Sequence, residues 1–338
     1  MKITLNPKML VLLSIPLFLC SCHKETNITD KEENQNSNAV IDHLLFEEIG
    51  HSGTVYQKSS YDILYDYDNY IKITNPHTET LYLDSMMLAK CVFSSDQAYT
   101  LEALDTRETH FPTNFIMQFP GTGKDYPVRP GESVIIAAYA FDHRTINEES
   151  FLGNNPNSYD LSNINFEWET EDQIAIDEDK PQRTDIPNLK LVYSEGNWNK
   201  QDGKQKFDIH NGKTSLALIK IKCRIEELRN NKEYQLPYKL TDKGETYFHI
   251  YDEGIAVNIP NEWVVDCVCL CPIEEFYRPT VGSKLDKGWT NTFRSSKKID
   301  KGGRGKSVFR KHDGNNFVDL NNSTIDFEVR EASLLKKK

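Results

Sequence analysis

The sequence predicts an all-β fold: a β-sandwich with long insertions and only a few short helices. Aromatic residues make up 11% of the chain, including 16 Tyr and 16 Phe, and aromatic side chains are enriched in strands. Short runs of alternating apolar and polar residues recur, and several of them end at Pro, Gly or Asn. Convincing amphipathic helices are few. Short strands with turn signals between them are typical of sandwiches and barrels.

The strand pattern recurs from residue 69 onward. The predicted strands are residues 69–74, 81–83, 86–92, 115–119, 133–140, 189–193, 215–221, 247–251 and 263–270. Helical exceptions are expected at residues 224–230 and near residues 147–152. The acidic, polar stretch 167–183 is interpreted as a surface excursion, because it lacks the apolar periodicity of a buried element.

The first residues match a secretory signal peptide. Lys2 and Lys8 form a short basic region before an almost wholly apolar run at residues 9–19. That run is shorter than the roughly 20 apolar residues that a membrane-spanning helix needs. The order of basic and then apolar residues is that of an export signal.

The residues that follow, Leu19-Cys20-Ser21-Cys22, resemble a bacterial lipobox, in which Leu stands three residues before the lipidated Cys and a small residue directly before it. We therefore expect a lipoprotein signal peptide at residues 1–21 and lipid on Cys22. Two or more acyl chains anchor a protein stably. We therefore expect an outer membrane lipoprotein, either surface-exposed or periplasm-facing. The alternative is an ordinary cleaved signal peptide with an incidental Cys.

Domain boundaries follow from composition. Residues 22–43 are polar and without aromatics, which predicts a flexible tether. Its acidic residues either mark display on the outer surface or belong to a solvated linker: Glu25, Asp30, Glu32 and Glu33. We expect one β-sandwich with insertions at residues 44–332 and a basic tail at residues 333–338.

Charge and cysteine content exclude several classes of protein. The net charge of −11 argues against nucleic acid or an anionic lipid surface as the main partner. Removal of Cys20 with the signal and use of Cys22 for lipid leave five of the seven cysteines. An odd number does not suit a disulfide scaffold.

Three of these cysteines alternate along one predicted strand, as Cys267, Cys269 and Cys271. Side chains two apart on a strand are about 6.6 Å apart, and those four apart are about 13 Å apart. One zinc ion with sulfur ligands near 2.3 Å could not reach both outer cysteines unless the strand bent sharply. We expect buried apolar thiols, with the cysteines on the inward face and Asp266 and Val268 on the other.

Two groups of oxygen-bearing side chains are weak calcium candidates. They are Asp66 and Asp68, and the later group Asp319, Asn321 and Asp326. Calcium takes six to eight oxygen ligands, but Asp and Asn side chains also cap turns. Turn capping is favoured, and we expect no metal and no cofactor.

Catalytic motifs are not found. Asp142-His143 and Asp160-Leu161-Ser162 contain the residue types of a Ser-His-Asp triad, but no Gly-x-Ser-x-Gly elbow accompanies them. Gly305-Lys306-Ser307 ends a basic stretch that lacks the spacing of a phosphate-binding loop, because Asp300 stands where that loop has Gly. We therefore expect a protein that is not an enzyme.

Several segments resemble known families. Residues 70–76 and 81–85, the turn and strand at 130–136 and residues 264–268 resemble lamin-tail domains. A closer resemblance is carried, in order, by residues 119–128, 140–143, 160–162, 259–263, 307–311 and 319–327. These segments resemble the domain-of-unknown-function 4876 family, uncharacterised bacterial surface lipoproteins with a lamin-tail-like core. Cys267 and Cys269 depart from that pattern.

The resemblance implies an Ig-like, lamin-tail-like β-sandwich and a surface location, and it suggests association with an outer-membrane transport receptor. It supplies no catalytic residues. The expected function is a lipid-anchored, exported binding or accessory module whose partners are the membrane, through the Cys22 lipid, and such a receptor. The alternatives are a structural or adhesive surface lipoprotein and, more distantly, a secreted hydrolase. A deep cleft with aromatics would favour the first, a convex surface the second, and a pocket of converging titratable groups the third.

Overall fold

A computed structural model describes residues 40–58, 61–96, 99–102, 104–145, 155–168, 185–194, 207–210, 212–242, 250–295 and 301–335. The predicted signal peptide, Cys22, residues 22–39 of the tether, the predicted helix near 147–152, Asp300 and the end of the basic tail lie outside these residues. None of the helices in the described ranges has the length and hydrophobicity needed to cross a bilayer.

The described residues are organised almost entirely as strands, which we number along the chain. They are β1 Leu45–Gly50, β2 Thr54–Lys58, β3 Tyr61–Tyr65, β4 Tyr70–Thr74, β5 Leu81–Tyr82, β6 Met87–Cys91, β7 Tyr99–Glu102, β8 His110–Gln118, β9 Pro127–Val128, β10 Ser133–Ala137, β11 Phe166–Glu167, β12 Lys190–Ser194, β13 Ser215–Ile219, β14 Gln235–Asp242, β15 Ile250–Pro260, β16 Val264–Cys269, β17 Lys306–Arg310, β18 His312–Asp313, β19 Asn316–Phe317 and β20 Phe327–Glu331. The helical elements are α1 Ile225–Asn230, α2 Ser323–Asp326 and single 3₁₀ turns at Lys232–Tyr234, Asn261–Trp263 and Lys301–Gly303.

Two large sheets form the framework. The six-stranded sheet has the order β11-β10-β4-β1-β17-β20. The eight-stranded sheet has the order β16-β13-β6-β8-β15-β14-β7, and β12 pairs with the second half of β8. The pairings are antiparallel except that between β10 and β11. Three two-stranded pairs complete the described sheets: β2 with β3, β5 with β9, and β18 with β19.

The central core lies between these two sheets, because one face of each contributes apolar side chains to a single cluster. Phe46, Ile71 and Ile136 come from the six-stranded sheet, and Leu88 and Leu216 come from the eight-stranded sheet. Strand alternation places every second residue on this face. The expected all-β sandwich is confirmed.

The outer faces of both sheets are also buried. On the eight-stranded sheet, Met87, Ala89 and Ala217 pack in a second cluster with Leu228 of α1. On the six-stranded sheet, Tyr70 and its neighbours are covered by residues 159–164, which follow the long connection after β10. These insertions therefore form layers over the sandwich, and the central strands β4, β6, β8 and β13 are buried on both faces.

Most predicted elements are confirmed. The predicted strands at 69–74, 86–92, 189–193, 215–221 and 263–270 correspond to β4, β6, β12, β13 and β16, and the helix at 224–230 corresponds to α1. The prediction that a surface excursion begins at Glu167 is wrong, because Phe166–Glu167 forms β11 and Trp168 is buried in the central core. The rest of that stretch, residues 169–183, lies outside the described residues. Parallel pairing with β10 supplies the backbone partners that make this burial possible.

The segment 119–128, one of those that carried the family resemblance, has a structural role. Asp84 Oδ1 accepts hydrogen bonds from Gly123 N at 2.9 Å and Asp125 N at 2.8 Å, and Asp84 Oδ2 accepts one from Tyr126 N at 2.8 Å. Gly121 has a φ of +107° and leaves no room for a Cβ beside the Asp84 carboxylate. This carboxylate therefore organises the loop between β8 and β9.

Candidate functional site

A polar cleft of about 720 Å³ follows the edge strand β16. Its volume lies within the range typical of ligand pockets. Residues of β16 and of five other segments line it. The lining residues are His43, Glu108, Thr109, His110, Pro260, Asn261, Glu262, Val264, Val265, Asp266, Cys267, Lys284, Leu285, Asp319 and Asn321.

The edge of β16 is partly closed by carboxylates that accept its unpaired backbone N–H groups. Cys267 N donates to Asp266 Oδ1 at 2.9 Å, and Cys269 N donates to Asp286 Oδ2 at 2.8 Å. Asp286 also binds the N–H and hydroxyl of Ser323, the first residue of α2. An open edge would template pairing with another chain, so these contacts both cap the strand and hold the wall of the cleft.

A buried ion pair joins the two sheets behind the cleft. Arg310 Nη2 donates to both carboxylate oxygens of Asp266, at 2.8 and 2.7 Å. The Arg310 side chain is 1% exposed and that of Asp266 is 2% exposed. Phe46 N donates to Asp266 Oδ2 at 2.7 Å, and Arg310 Nε donates to Phe46 O at 2.9 Å. Burial raises the pKa of Asp266, and the charge of Arg310 opposes that shift.

The pair continues to the cleft surface through Asp319 and His43. Arg310 Nη1 lies 3.1 Å from Asp319 Oδ1, and His43 Nε2 lies 3.3 Å from Asp319 Oδ2. Burial alone lowers the pKa of His43, but the hydrogen bond to Asp319 and the charges of Asp266 and Asp319 raise it above its ordinary value. Burial also acts to raise the pKa of Asp319, but His43 and Arg310 together lower it. Both directions favour a charged His43–Asp319 pair.

The mouth of the cleft carries less constrained charges. Glu108 and Glu262 are exposed, as is Lys284. Glu262 lies 3.8 Å from Lys222, and Glu108 Oε1 accepts from Ser283 N at 3.3 Å, both long contacts in solvent. Burial lowers the pKa of His110, which favours its neutral form.

This arrangement suits binding better than covalent catalysis. The titratable groups at the back of the cleft are held by one another. The Thr109 hydroxyl lies 2.8 Å from His110 Nδ1, but it also donates to Thr106 O at 3.1 Å. Burial and neighbouring carboxylates raise the pKa of Cys267 well above its ordinary value, so the reactive thiolate is disfavoured. The cleft has converging titratable groups, which were expected of a hydrolase, and it lacks the Phe, Tyr or Trp lining that was expected of a binding protein. Binding is favoured because the groups at the back of the cleft are paired with one another.

The weak calcium candidates fall in two parts of the fold. Asp66 pairs with Arg304, and Asp68 Oδ2 accepts from Thr54 Oγ1 at 2.6 Å and from the Ser158 hydroxyl. Burial raises the pKa of Asp68 to about 7. A neutral carboxyl is a poor calcium ligand.

The later candidates lie between β19 and β20. Asp319 is engaged by Arg310 and His43, and Asn321 lines the cleft. Asp326 Oδ2 accepts from Leu320 N at 3.0 Å, and burial raises the pKa of Asp326 to about 6. Within the described part of the chain, no three His, Cys, Asp or Glu side chains are grouped to hold a metal ion.

The residue types of a Ser-His-Asp triad do not assemble. His143 is buried, with Nδ1 2.7 Å from the Tyr65 hydroxyl and Nε2 3.1 Å from Tyr139 O. The Ser162 hydroxyl donates to Asp160 in the local turn. Both His143 nitrogens therefore have partners other than Ser162.

The three cysteines in and directly after β16 are buried, as predicted, but the opposite face of the strand is buried as well. Cys267, Cys269 and Cys271 are at most 5% exposed, while Val268 is fully buried in the central core. Cys267 packs instead in the outer cluster. The prediction that the cysteines occupy the face toward the sandwich core is wrong, because Val268 takes that face and Cys267 lies on the opposite face, which the outer cluster covers.

Sequence reasoning missed the Asp266–Arg310 pair and His43. The partners are 44 residues apart, and His43 falls within the predicted tether. One signal was available: Asp266 and Arg310 each interrupt a strand whose other inward positions, such as Val268 and Val308, are apolar. A charge at such a position predicts a buried partner.

Comparisons with known proteins agree with this fold. The profile of the family described as "Protein of unknown function (DUF4876)" matches residues 129–333. The crystal structure of a DUF4876 family protein from Bacteroides thetaiotaomicron VPI-5482 is similar, with a TM-score of 0.64 and 20% sequence identity over 85% of this chain and 71% of that chain. No curated protein matches the chain. The chain belongs to the DUF4876 family.

Proposed function

We propose that this chain is a lipid-anchored, exported binding module whose ligand site is the polar cleft beside β16. The lipobox-like residues Leu19 to Cys22 support the anchor. The observation that carries the binding role is the cleft itself, about 720 Å³ in volume with converging polar groups fixed by a buried ion pair. Fixed groups reduce the entropy lost when a ligand binds. We further propose that the cleft binds its ligand without converting it.

The charges of the cleft favour a ligand with an amine or guanidinium group. Asp266 and Asp319 are balanced by Arg310 and His43. The remaining charges of the lining are two carboxylates, Glu108 and Glu262, and one ammonium group, Lys284; Lys222, outside the lining, lies 3.8 Å from Glu262. The whole chain carries a net charge of −11, so long-range attraction also favours a cation.

A matched pair of small molecules tests this proposal. Hexamethylenediamine and hexanediol have the same carbon chain and differ in charge. Isothermal titration of the full-length protein should show binding of the diamine and little binding of the diol. Binding should weaken as salt is raised, because the mouth of the cleft is exposed and its charges are screened.

Paired substitutions separate the cleft from general attraction to an acidic protein. Glu108→Gln with Glu262→Gln should weaken diamine binding about tenfold. The control pair, Glu328→Gln with Glu331→Gln, removes the same charge from exposed positions on β20 and should leave binding unchanged. Equal binding of diamine and diol, or equal effects of the two pairs, would refute a cation-binding cleft.

Association with an outer-membrane transport receptor is a further part of this proposal, which rests on the family resemblance alone. The protein should then co-purify with one receptor after mild cross-linking of intact cells. Recovery of the protein without any receptor would remove this part and leave the cleft proposal intact.

A further inference from the structure

A second and smaller pocket lies at an end of the central core, away from the lining of the polar cleft. Its volume is about 200 Å³, below the usual size for drug-like ligands. Its lining includes Lys90 of β6, Asn114 of β8, Leu216 of β13 and the segment Asp208 to His210. The pocket therefore suits a very small molecule.

Lys90 is a charge at a core position. It has the same strand parity as Leu88, and its neighbours across the sheet are Leu216 and Phe115, all in the central core. Among the described residues, Asp208 is the charged group that acts on Lys90, and no hydrogen bond or ion pair joins the two. Burial lowers the pKa of Lys90, and the charge of Asp208 only partly opposes this. The Lys90 side chain is half-buried, so its ammonium group can be reached by a ligand that enters the pocket.

The other charges around the pocket already have partners. Asp208 binds His210 Nδ1 through both carboxylate oxygens, at 2.8 and 2.7 Å, and also accepts from His210 N at 2.8 Å. Lys213 Nζ lies 3.0 Å from Asp96 Oδ2. Lys90 is therefore the charged residue of this lining that makes no ion pair, although the charge of Asp208 acts on it.

Asn114 supplies an independent observation. This side chain is 9% exposed and lines the same pocket, and its buried Oδ1 has no hydrogen-bond partner among the described residues. A buried polar atom without a partner costs free energy comparable to a lost hydrogen bond. The two orientations of an amide are hard to distinguish, but a hydroxyl group satisfies either, because it donates and accepts.

We propose that this pocket binds a small oxyanion that carries a hydroxyl group, with the anion on Lys90 Nζ and the hydroxyl on the Asn114 amide. A short hydroxy acid and hydrogen phosphate share this chemistry. Either one would give Lys90 a counter-charge and Asn114 Oδ1 a hydrogen-bond partner. Charge-assisted hydrogen bonds of this kind are about twice as strong as neutral ones.

Four probes test the chemistry on the full-length protein by isothermal titration. Glycolate carries both groups, acetate lacks the hydroxyl, ethylene glycol lacks the acid, and inorganic phosphate is the second oxyanion. Glycolate should bind about tenfold more tightly than acetate, and ethylene glycol should not bind. Whichever of glycolate and phosphate binds more tightly identifies the type of oxyanion. Binding of neither would overturn the proposal.

Variants locate the binding. Lys90→Met should abolish binding of glycolate and phosphate, and Asn114→Ala should remove the preference for glycolate over acetate. The control, Lys72→Met, changes a half-buried strand lysine that already pairs with Glu47 at 2.7 Å, and it should leave anion binding unchanged. Equal anion binding by Lys90→Met and the unsubstituted protein would overturn the site.

A stability measurement distinguishes a ligand-binding role of Lys90 from a purely structural one. Without added anion, Lys90→Met should unfold at the same temperature as the unsubstituted protein or higher, because it removes a charge that makes no ion pair. Glycolate should raise the unfolding temperature of the unsubstituted protein and not that of the variant. A lower unfolding temperature for Lys90→Met in anion-free buffer would show that Lys90 has a protein partner, and would refute the inference.

Discussion

Removal of Arg310 should strongly destabilise the fold, because it leaves the Asp266 carboxylate buried without its counter-charge. Asp266 comes from the eight-stranded sheet and Arg310 from the six-stranded sheet, and their side chains are 2% and 1% exposed. Arg310→Met keeps most of the side-chain volume and removes the charge. Removal of one partner of such a pair costs about 3–5 kcal/mol.

Two further contacts place the expected loss toward the upper end of that range. Arg310 Nε and Nη1 also donate to Phe46 O and Val318 O, so the substitution leaves these carbonyl groups short of donors. Each buried unsatisfied group costs about 1–3 kcal/mol. A loss of about 5 kcal/mol is a large part of the roughly 5–15 kcal/mol that holds a typical domain together.

Urea unfolding followed by tryptophan fluorescence measures this loss. Arg330→Met is a matched control. Arg330 lies on β20, its side chain is 55% exposed, and its guanidinium lies 3.5 Å from Glu328. An exposed ion pair of this kind contributes about 1 kcal/mol or less. Adding Asp266→Asn to Arg310→Met removes the buried carboxylate charge that has lost its partner, and it should recover part of the stability. A loss for Arg310→Met no larger than that for Arg330→Met would refute the reasoning.

Three further predictions concern the anchor, pH dependence and the buried thiols. Cys22→Ala should move the protein from the membrane fraction to the soluble fraction and abolish palmitate labelling; unchanged labelling would contradict lipidation at Cys22. The pKa of Asp68 is about 7 in the folded protein and 3.8 ordinarily, so unfolding free energy should fall by up to about 4 kcal/mol as pH rises from about 4 to above 7, and Asp68→Asn should lack this fall; parallel pH profiles would contradict it. Cys269→Ala should cost about 1 kcal/mol as a small cavity, and native thiol labelling should be fast only at the half-exposed Cys223; fast labelling of Cys269 in native protein would contradict its burial.

Local sequence patterns were sufficient to predict the class of fold and many of its strands. Alternation in residues 69–74 and 215–221 predicted β4 and β13 because a strand in a sandwich must present one face to a core. The hairpin of β14 and β15 was not predicted as such, although it is a long antiparallel pairing. Pro237 interrupts its first strand, and Pro argues against a central strand. In the structure β14 pairs with β7 only after Pro237, from Lys239 onward, so the missing N–H is tolerated.

The sequence by itself determined the strand-rich class, the parity of each strand and the expectation of export and lipidation at Cys22. Alternation says which residues share a face, but not which face meets the core or what covers the other one. Only the tertiary structure decided that Val268 faces the sandwich core and Cys267 the outer cluster. Sheet contacts join residues far apart in the chain. Neither the Asp266–Arg310 pair nor the place of Lys90 in the lining of the small pocket therefore follows from local spacing. Charges at buried strand positions were visible in the sequence, but whether each finds a partner depends on long-range packing.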